Sequence, residues 1–137
     1  MKRIWIAVLT ILAVGLISKN WADDAPAAEG PAAKPVTVTG TLVDVMCYLE
    51  EGVTGNDHDG MKTCGTECLK GGSPAGILAG KKLYTLAFPA PAFKDYVGQT
   101  LEIQGKLYLN DQLLPRKVFV VKDGQKTEVS IKGKSMM

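Results

Sequence analysis

The residues of this chain that are best suited to chemistry are three cysteines and one histidine, and all four lie close together. The stretch CYLEEGVTGNDHDGMKTCGTEC, residues 47–68, holds every cysteine and the only histidine of the 137 residues. The four residues are Cys47, His58, Cys64 and Cys68. Three thiolates and one imidazole make a Cys3His set, which binds zinc tetrahedrally in proteins. The composition of the stretch therefore predicts a metal site, although its spacing is not that of a common zinc finger.

The charge of the same stretch also favours a cation. Between the first and the last cysteine lie five acidic residues and one lysine, which gives a net charge of −4 before any thiol ionises. A bound cation would relieve this repulsion and favour thiolates. Sulfur-rich ligation selects zinc or copper(I) by softness, and the thioethers of Met46 and Met61 also suit copper(I). Because methionine commonly fills gaps, we expect Met46 to pack in the core and Met61 to cover the loop.

One further carboxylate lies near the first cysteine. Asp44 precedes Cys47 by three residues. It is either a carboxylate that orients a metal ligand or a charge at a strand edge. The residues alone do not decide between these two roles.

Two alternatives use the cysteines without a metal. In an oxidising compartment, a disulfide from Cys47 to Cys64 or Cys68 would close a loop of roughly 20 residues and stabilise the fold by ~3 kcal/mol. The domain would then be a binding module for an extracytoplasmic partner. In a thiol redox module, Cys64 and Cys68 would be the active pair and Cys47 the resolving thiol. The odd cysteine count and the lone histidine in the same loop favour the metal site.

The N-terminus has the pattern of a secretory signal. Lys2 and Arg3 precede an apolar run, residues 4–17, and a polar region that ends in the small residue Ala22. We therefore predict a signal peptide over residues 1–22 and a periplasmic or secreted protein. Because Asn20 does not fit the usual cleavage pattern, an uncleaved anchor is the alternative.

The rest of the chain divides by composition. Residues 23–35 are rich in Ala and Pro and predict a flexible linker, residues 36–132 predict one domain, and residues 133–137 predict a loose tail. Without residues 1–22 the chain keeps 13 basic and 14 acidic residues, a net charge of −1. This charge excludes an electrostatic nucleic-acid partner. We expect a monomer that contacts a membrane only through an uncleaved N-terminal segment.

The remaining pattern is that of an all-β domain, because turn signals recur about every ten residues between runs of Val, Leu, Thr and aromatic residues. In residues 100–109 the apolar side chains alternate with Glu102, Gln104 and Lys106, which we expect to point to the opposite face of the strand. The predicted elements are a first strand (36–48) bent at Gly40, an irregular segment (49–80) with helical turns within 60–72, a strand (81–88), a short helix (92–97) ended by Gly98, and strands at 100–109, 116–121 and 127–131.

This order predicts a small five- to six-stranded Greek-key barrel of the OB type, with one short helix and a Cys/His-bearing loop after the first strand. A small open sandwich is the rival architecture. The sequence offers no Ser/His/Asp set, and it has no paired carboxylates outside the acidic loop, so no pattern indicates an enzyme. We therefore predict a non-enzymatic domain in which Cys47, His58, Cys64 and Cys68 bind zinc or copper(I). The site either holds the long loop against the barrel or carries a metal for delivery.

Several segments resemble a set of small exported bacterial proteins. These proteins share Gly-x-x-x-Asp-x-x-Cys-Tyr, an isolated His, Cys-x3-Cys and Gly-Gly-x-Pro-x-Gly, and here the matching segments read GTLVDVMCY, DH, CGTEC and GGSPAGIL. The run YVGQTLEIQGKLY is similar to their later strands, so the resemblance covers about residues 38–121. It implies an OB-like domain outside the cytoplasm with a Cys/His constellation, and it implies no particular activity. The motif positions are Gly40, Asp44, Cys47, Tyr48, His58, Cys64, Cys68, Gly71, Gly72, Pro74 and Gly76.

Overall fold

The computed structural model describes residues 30–132. The predicted signal segment, residues 23–29 of the predicted linker and the predicted tail lie outside these described residues. The elements in chain order are β1 (Lys34–Asp44), α1 (Val45–Glu51), α2 (Cys64–Lys70), β2 (Ala75–Ala79), β3 (Lys82–Leu86), a 3₁₀ helix (Ala90–Tyr96), β4 (Thr100–Tyr108), β5 (Gln112–Lys122) and β6 (Gln125–Val129). Between residues 30 and 132, no helix is long and apolar enough to cross a membrane.

The six strands form one sheet in the order β3-β2-β1-β4-β5-β6. Neighbours in this order pair antiparallel. In addition, β3 pairs in parallel with β5 over two residue pairs, Thr85 with Gln112 and Leu86 with Leu113. The predicted all-β class is therefore confirmed at the level of a mostly antiparallel six-stranded sheet with few helices.

Strand β1 pairs with two different partners along its length. Residues 34–41 pair with β4, and residues 41–44 pair with β2. Gly40 lies where these pairings meet, and a Cβ atom there would stand 2.4 Å from the carbonyl oxygen of Leu78. Glycine is therefore required by the close approach of β2, which agrees with the bend predicted at this position.

The core lies between the sheet and the helices. Apolar side chains of β1, α2, β2, the 3₁₀ helix, β4 and β5 meet there, and the largest that are fully buried include Leu42, Leu69, Ile77, Phe93, Leu101, Ile103, Leu113 and Val118. Phe93 also makes an edge-to-face contact with Phe88, with ring centroids 5.8 Å apart. Because Leu69 belongs to this core, the segment that carries the cysteines is packed against the sheet.

The prediction that the first strand runs to residue 48 is wrong. β1 ends at Asp44, and α1 begins at the next residue. The cause is a helix cap, since Oδ1 of Asp44 accepts a hydrogen bond of 2.9 Å from the backbone N–H of Cys47. Cys47 therefore lies in a helix rather than at the end of a strand, and α1 is a helix that was not predicted.

A strand inside the segment predicted to be irregular was missed. β2 consists of the small and apolar residues AGILA, preceded by a Gly/Pro-rich run that is typical of a turn. A Cβ at Gly76 would lie 2.8 Å from Cγ2 of Val45, so the glycine allows close packing. The helical turns predicted within residues 60–72 are confirmed as α2.

Two details of the later strands were also not predicted. β5 begins at Gln112 although Pro115 lies within it, and Pro115 pairs with Gly105 next to a register shift at Gln104/Gly105. A proline is tolerated at such a bulge, because a regular ladder donor is not needed there. Glu102 lies on the polar side of the alternation in β4, yet it is buried and forms an ion pair with Lys126 of β6.

Candidate metal centre

Three sulfur atoms meet at the side of the sheet. Cys47 comes from α1, and Cys64 and Cys68 come from α2. Their Sγ atoms all lie within 4.8 Å of one another, and all three residues are half-buried free cysteines. In a tetrahedral zinc site with Zn–S bonds of about 2.3 Å, the sulfurs are about 3.8 Å apart. The three thiols are therefore close enough for one metal ion.

The position of Cys47 follows from the two ends of α1. At the start, the Asp44 cap binds the N–H of Cys47 itself, and the N–H of Val45 donates to the carbonyl of Pro74 at 2.9 Å. At the end, Gly52 adopts a left-handed conformation with φ of 73°, and its N–H donates to the carbonyl of Tyr48. Both ends of this short helix are thus fixed, which fixes the direction of the Cys47 side chain.

Helix α2 places the other two sulfurs. Cys64 and Cys68 are four residues apart in it, so they lie on one face, as the sequence predicts. Leu69 is fully buried beneath the helix. The side chain of Asn56 binds Thr66 twice, accepting from its N–H at 2.7 Å and donating to its hydroxyl at 3.0 Å. This contact ties the connecting loop to the first turn of α2.

His58 lies beside the sulfur cluster rather than within it. Its Nδ1 is 3.8 Å from Sγ of Cys64, and its Nε2 is 2.7 Å from Oε2 of Glu51. Among the residues that the structure describes, the mutually close group contains only the three sulfurs, and His58 belongs to a second group with Glu51 and Asp59. The imidazole thus contacts one cysteine directly. Its role as the fourth ligand stays a prediction.

These contacts and the burial of the site raise the pKa values of Cys47 and His58. Burial first, and then the charge of Asp44 and the proximity of Cys68, raise the pKa of the Cys47 thiol to about 12. The hydrogen bond to Glu51 and then the contact with Cys64 raise the pKa of His58 to about 9. In the absence of a metal, Cys47 is therefore a neutral thiol at pH 7, and the imidazole of His58 carries a positive charge.

Of the two roles considered for Asp44, its burial excludes the second. It is only 3% exposed, so it is not a strand-edge charge. Oδ1 caps α1, and Oδ2 is buried without a hydrogen-bond partner in the described part of the chain. The residue therefore positions Cys47 through the backbone of the helix.

The expectation that Met46 packs in the core is wrong. Met46 is 47% exposed and does not pack in the core, and Met61 is 52% exposed. Glu51 is the site residue that was not singled out from the sequence. Its spacing of four residues from Cys47 would have indicated it only if α1 had been expected to be helical.

The fold and the cluster together define a small six-stranded β-sheet protein with three cysteines gathered by two short helices. A search with this chain finds no match among protein-family profiles, curated proteins or solved structures. Its chemistry is therefore argued from its own residues.

Proposed function

We propose that this protein is an exported, non-enzymatic domain that binds one zinc or copper(I) ion through Cys47, Cys64 and Cys68, with His58 as the fourth ligand. The observation that carries the proposal is the mutual approach of the three sulfurs to within 4.8 Å. Thiolates select soft or borderline metals, so zinc and copper(I) are the candidates. The negative charge of the acidic residues in the stretch 47–68 also favours a cation.

The number of ligands determines what the site does. With His58 bound, four protein ligands close a tetrahedron and the metal is structural. With His58 unbound, three thiolates leave one position open, and a partner's ligand can take the metal. The separation of 3.8 Å between Nδ1 and Sγ of Cys64 favours the closed set, because neighbouring N and S ligands of one zinc ion are about 3.6 Å apart.

The proposal for the scaffold is a closed barrel of the OB type. The strand order and the short parallel pairing of β3 with β5 support it, because this pairing joins the edge strand β3 to the far side of the sheet and so favours closure. The resemblance of the Asp-x-x-Cys-Tyr and Cys-x3-Cys segments to small exported proteins supports a location outside the cytoplasm. We propose a monomer in that compartment.

The test is metal content and affinity of the full chain purified under anaerobic conditions from the periplasm of an expressing bacterium. Native mass spectrometry with elemental analysis is expected to give one zinc or copper ion per chain. Cobalt(II) added to the metal-free protein is expected to give a thiolate-to-cobalt charge-transfer band. Both signals are expected to be lost in Cys47→Ser and Cys64→Ser.

The matched control for sulfur in the same loop is Met61→Leu. Met61 is exposed and lies three residues from both His58 and Cys64. We expect this variant to keep its zinc and its cobalt spectrum, because a thioether is a poor zinc ligand. A metal-free protein with an intact disulfide from Cys47 to Cys64 or Cys68 would overturn the proposal and support the cross-linked binding module.

A further inference from the structure

The ring of His58 is held at both of its nitrogen atoms. Nε2 lies 2.7 Å from Oε2 of Glu51, and Nδ1 lies 3.8 Å from Sγ of Cys64. An ionised carboxylate only accepts hydrogen bonds, so Nε2 is the nitrogen that carries hydrogen toward Glu51. The nitrogen turned toward the sulfur cluster is therefore Nδ1.

The backbone around His58 holds the ring in this orientation. His58 and Met61 form reciprocal backbone hydrogen bonds of 3.2 and 2.9 Å. Between them, Asp59 and Gly60 have φ values of 51° and 76°, which make a tight turn with two left-handed residues. The N–H of Cys64 donates to the carbonyl of Met61 at 3.3 Å. His58 is thus tied through this turn to the first residue of α2.

Glu51 is tied to the cluster through α1. It is the last residue of that helix and lies four residues after Cys47, so both side chains project from one helix face. The same short helix thus supplies one sulfur and the acceptor for His58. Asp59 is also 3.8 Å from Nε2, but its side chain is 85% exposed and its contact is longer.

We propose that Glu51 is a positioning residue of the metal site, which fixes the ring of His58 so that Nδ1 is the nitrogen that binds the metal. This inference rests on the proposed function and adds the identity of the ligand atom and the group that orients it. Histidine ligands commonly donate their second N–H to a carboxylate, which fixes the tautomer and raises the basicity of the ligand. Loss of such a partner typically costs about 10- to 100-fold in metal affinity.

The affinity test compares two neighbouring glutamates in the full chain. Glu51→Gln replaces the carboxylate that contacts His58, and Glu50→Gln removes an equal charge from an exposed residue of the same helix. We expect Glu51→Gln to weaken zinc binding by about 10- to 100-fold. Glu50→Gln is expected to change zinc affinity by about 2-fold or less, because exposed charges act weakly through water. Equal effects of the two substitutions would overturn the proposal.

The spectroscopic test uses the fact that His58 is the only histidine of the chain. In ¹⁵N-labelled wild-type protein, its two ring nitrogens can be identified without competing signals. On addition of zinc, we expect metal binding at Nδ1 with hydrogen retained on Nε2. Zinc binding at Nε2, or a ring spectrum unchanged by zinc, would overturn the proposal.

The two proposals fail in different ways. If wild-type protein binds no zinc, or if Cys64→Ser binds it equally well, the proposed function fails. If zinc binding needs the cysteines but neither the ring nitrogens nor Glu51→Gln respond, binding by the three cysteines stands, whereas the ligand role of His58 and the positioning role of Glu51 both fail. Because the ring spectrum is measured on the wild type, this result does not depend on the folding of a variant.

Discussion

The two oxygens of the Asp44 carboxylate have different surroundings. Oδ1 accepts the N–H of Cys47 and starts α1, whereas Oδ2 is buried without a hydrogen-bond partner among the described residues. Burying a charged oxygen without a partner is costly. The same charge helps to raise the pKa of Cys47. Asp44 therefore stabilises the helix and at the same time disfavours a thiolate at Cys47 until a cation arrives.

At the residue scale, we expect Asp44→Ala to destabilise the metal-free protein by about 0.5–2 kcal/mol through loss of the helix cap. Asp44→Asn is expected to cost less, because asparagine caps helices equally well. The measurement is urea unfolding under reducing conditions with a chelator present.

Asp95→Ala serves as the control for this prediction, since the Asp95 side chain is exposed and, among residues 30–132, forms an ion pair only with Lys94, the residue before it. A loss in Asp44→Ala no larger than in Asp95→Ala would show that the cap does not stabilise α1. Equal losses in the alanine and asparagine variants would point to the charge rather than to the cap.

Helix α2 depends on packing rather than on its own helical preference. It has seven residues, and isolated helices shorter than about 12 residues are marginal in water. Besides Leu69 its buried residue is Gly65, where a Cβ would lie 2.6 Å from Cγ1 of Val97. The absence of a side chain at Gly65 thus lets α2 approach the end of the 3₁₀ helix closely.

At the element scale, we expect Gly65→Ala to destabilise the protein by about 1–3 kcal/mol, because overpacking outweighs the better helix propensity of alanine. Val97→Ala in the same chain is expected to recover part of this loss, since it removes the colliding methyl group. Urea unfolding of the two single variants and the double variant measures the coupling between the sites.

Gly71→Ala is the matched control for this element. Gly71 has φ of −72°, and its nearest neighbour atom to a built Cβ is the carbonyl oxygen of Cys68 at 3.4 Å. This substitution is expected to be nearly neutral. Additive effects of Gly65→Ala and Val97→Ala would contradict the packing argument.

The sequence predicted elements whose signal is local. The Cys64/Cys68 spacing predicted one helical face, and the alternation in residues 100–109 predicted β4, because both patterns follow from the period of a single element. β2 was not predicted, because Gly76 weakens its strand pattern and that glycine reflects the close approach of Val45, a contact between elements. The ion pair of Glu102 was not predicted for a similar reason, since its partner Lys126 lies in another strand.

The cysteine cluster was predictable as a set of residues and less so as an arrangement. Three cysteines in one stretch indicated the cluster, because so few residue types bind soft metals. The contact of His58 with Glu51 was not predictable, because it depends on α1 being a helix and on the turn at residues 58–61. The strand patterns of residues 36–48 hid that helix, since Val45 and Cys47 continue the alternation of β1.

At the scale of the whole molecule, two strands that do not pair with each other, β4 and β6, are joined by a charge pair that is partly removed from water. Glu102 of β4 is buried, and Lys126 of β6 reaches it although β6 pairs with β5. The hydrogen bond from Lys126 is the largest cause that lowers the pKa of Glu102 below its usual value. The carboxylate is therefore more acidic in the folded protein than in the unfolded chain.

This difference predicts a dependence of stability on pH. A group with a lowered pKa in the folded state stabilises fully above its unfolded pKa, about 4.3 for glutamate, and its contribution is lost as the pH falls through the folded pKa. We expect the free energy of unfolding to fall below about pH 4.5. In Lys126→Met this fall is expected to be shallower, as measured by urea unfolding between pH 3 and pH 7.

Lys122→Met is the matched control for the pH prediction. Lys122 lies in β5, is exposed and forms no ion pair within the described residues. Its variant is expected to keep the pH dependence of the wild type. A slope in Lys126→Met identical to that of the wild type would exclude the Glu102 pair as its source.

The segment between β1 and β2 leaves and rejoins the sheet at one place. Asp44 pairs with Ala75, and the next hydrogen bond joins Val45 to Pro74, so residues 45–74 are closed at their base by backbone contacts. The residue pairs that set the register of the strands lie outside residues 45–74. Its length can therefore change without shifting the ladder, provided that Leu69 keeps its place in the core.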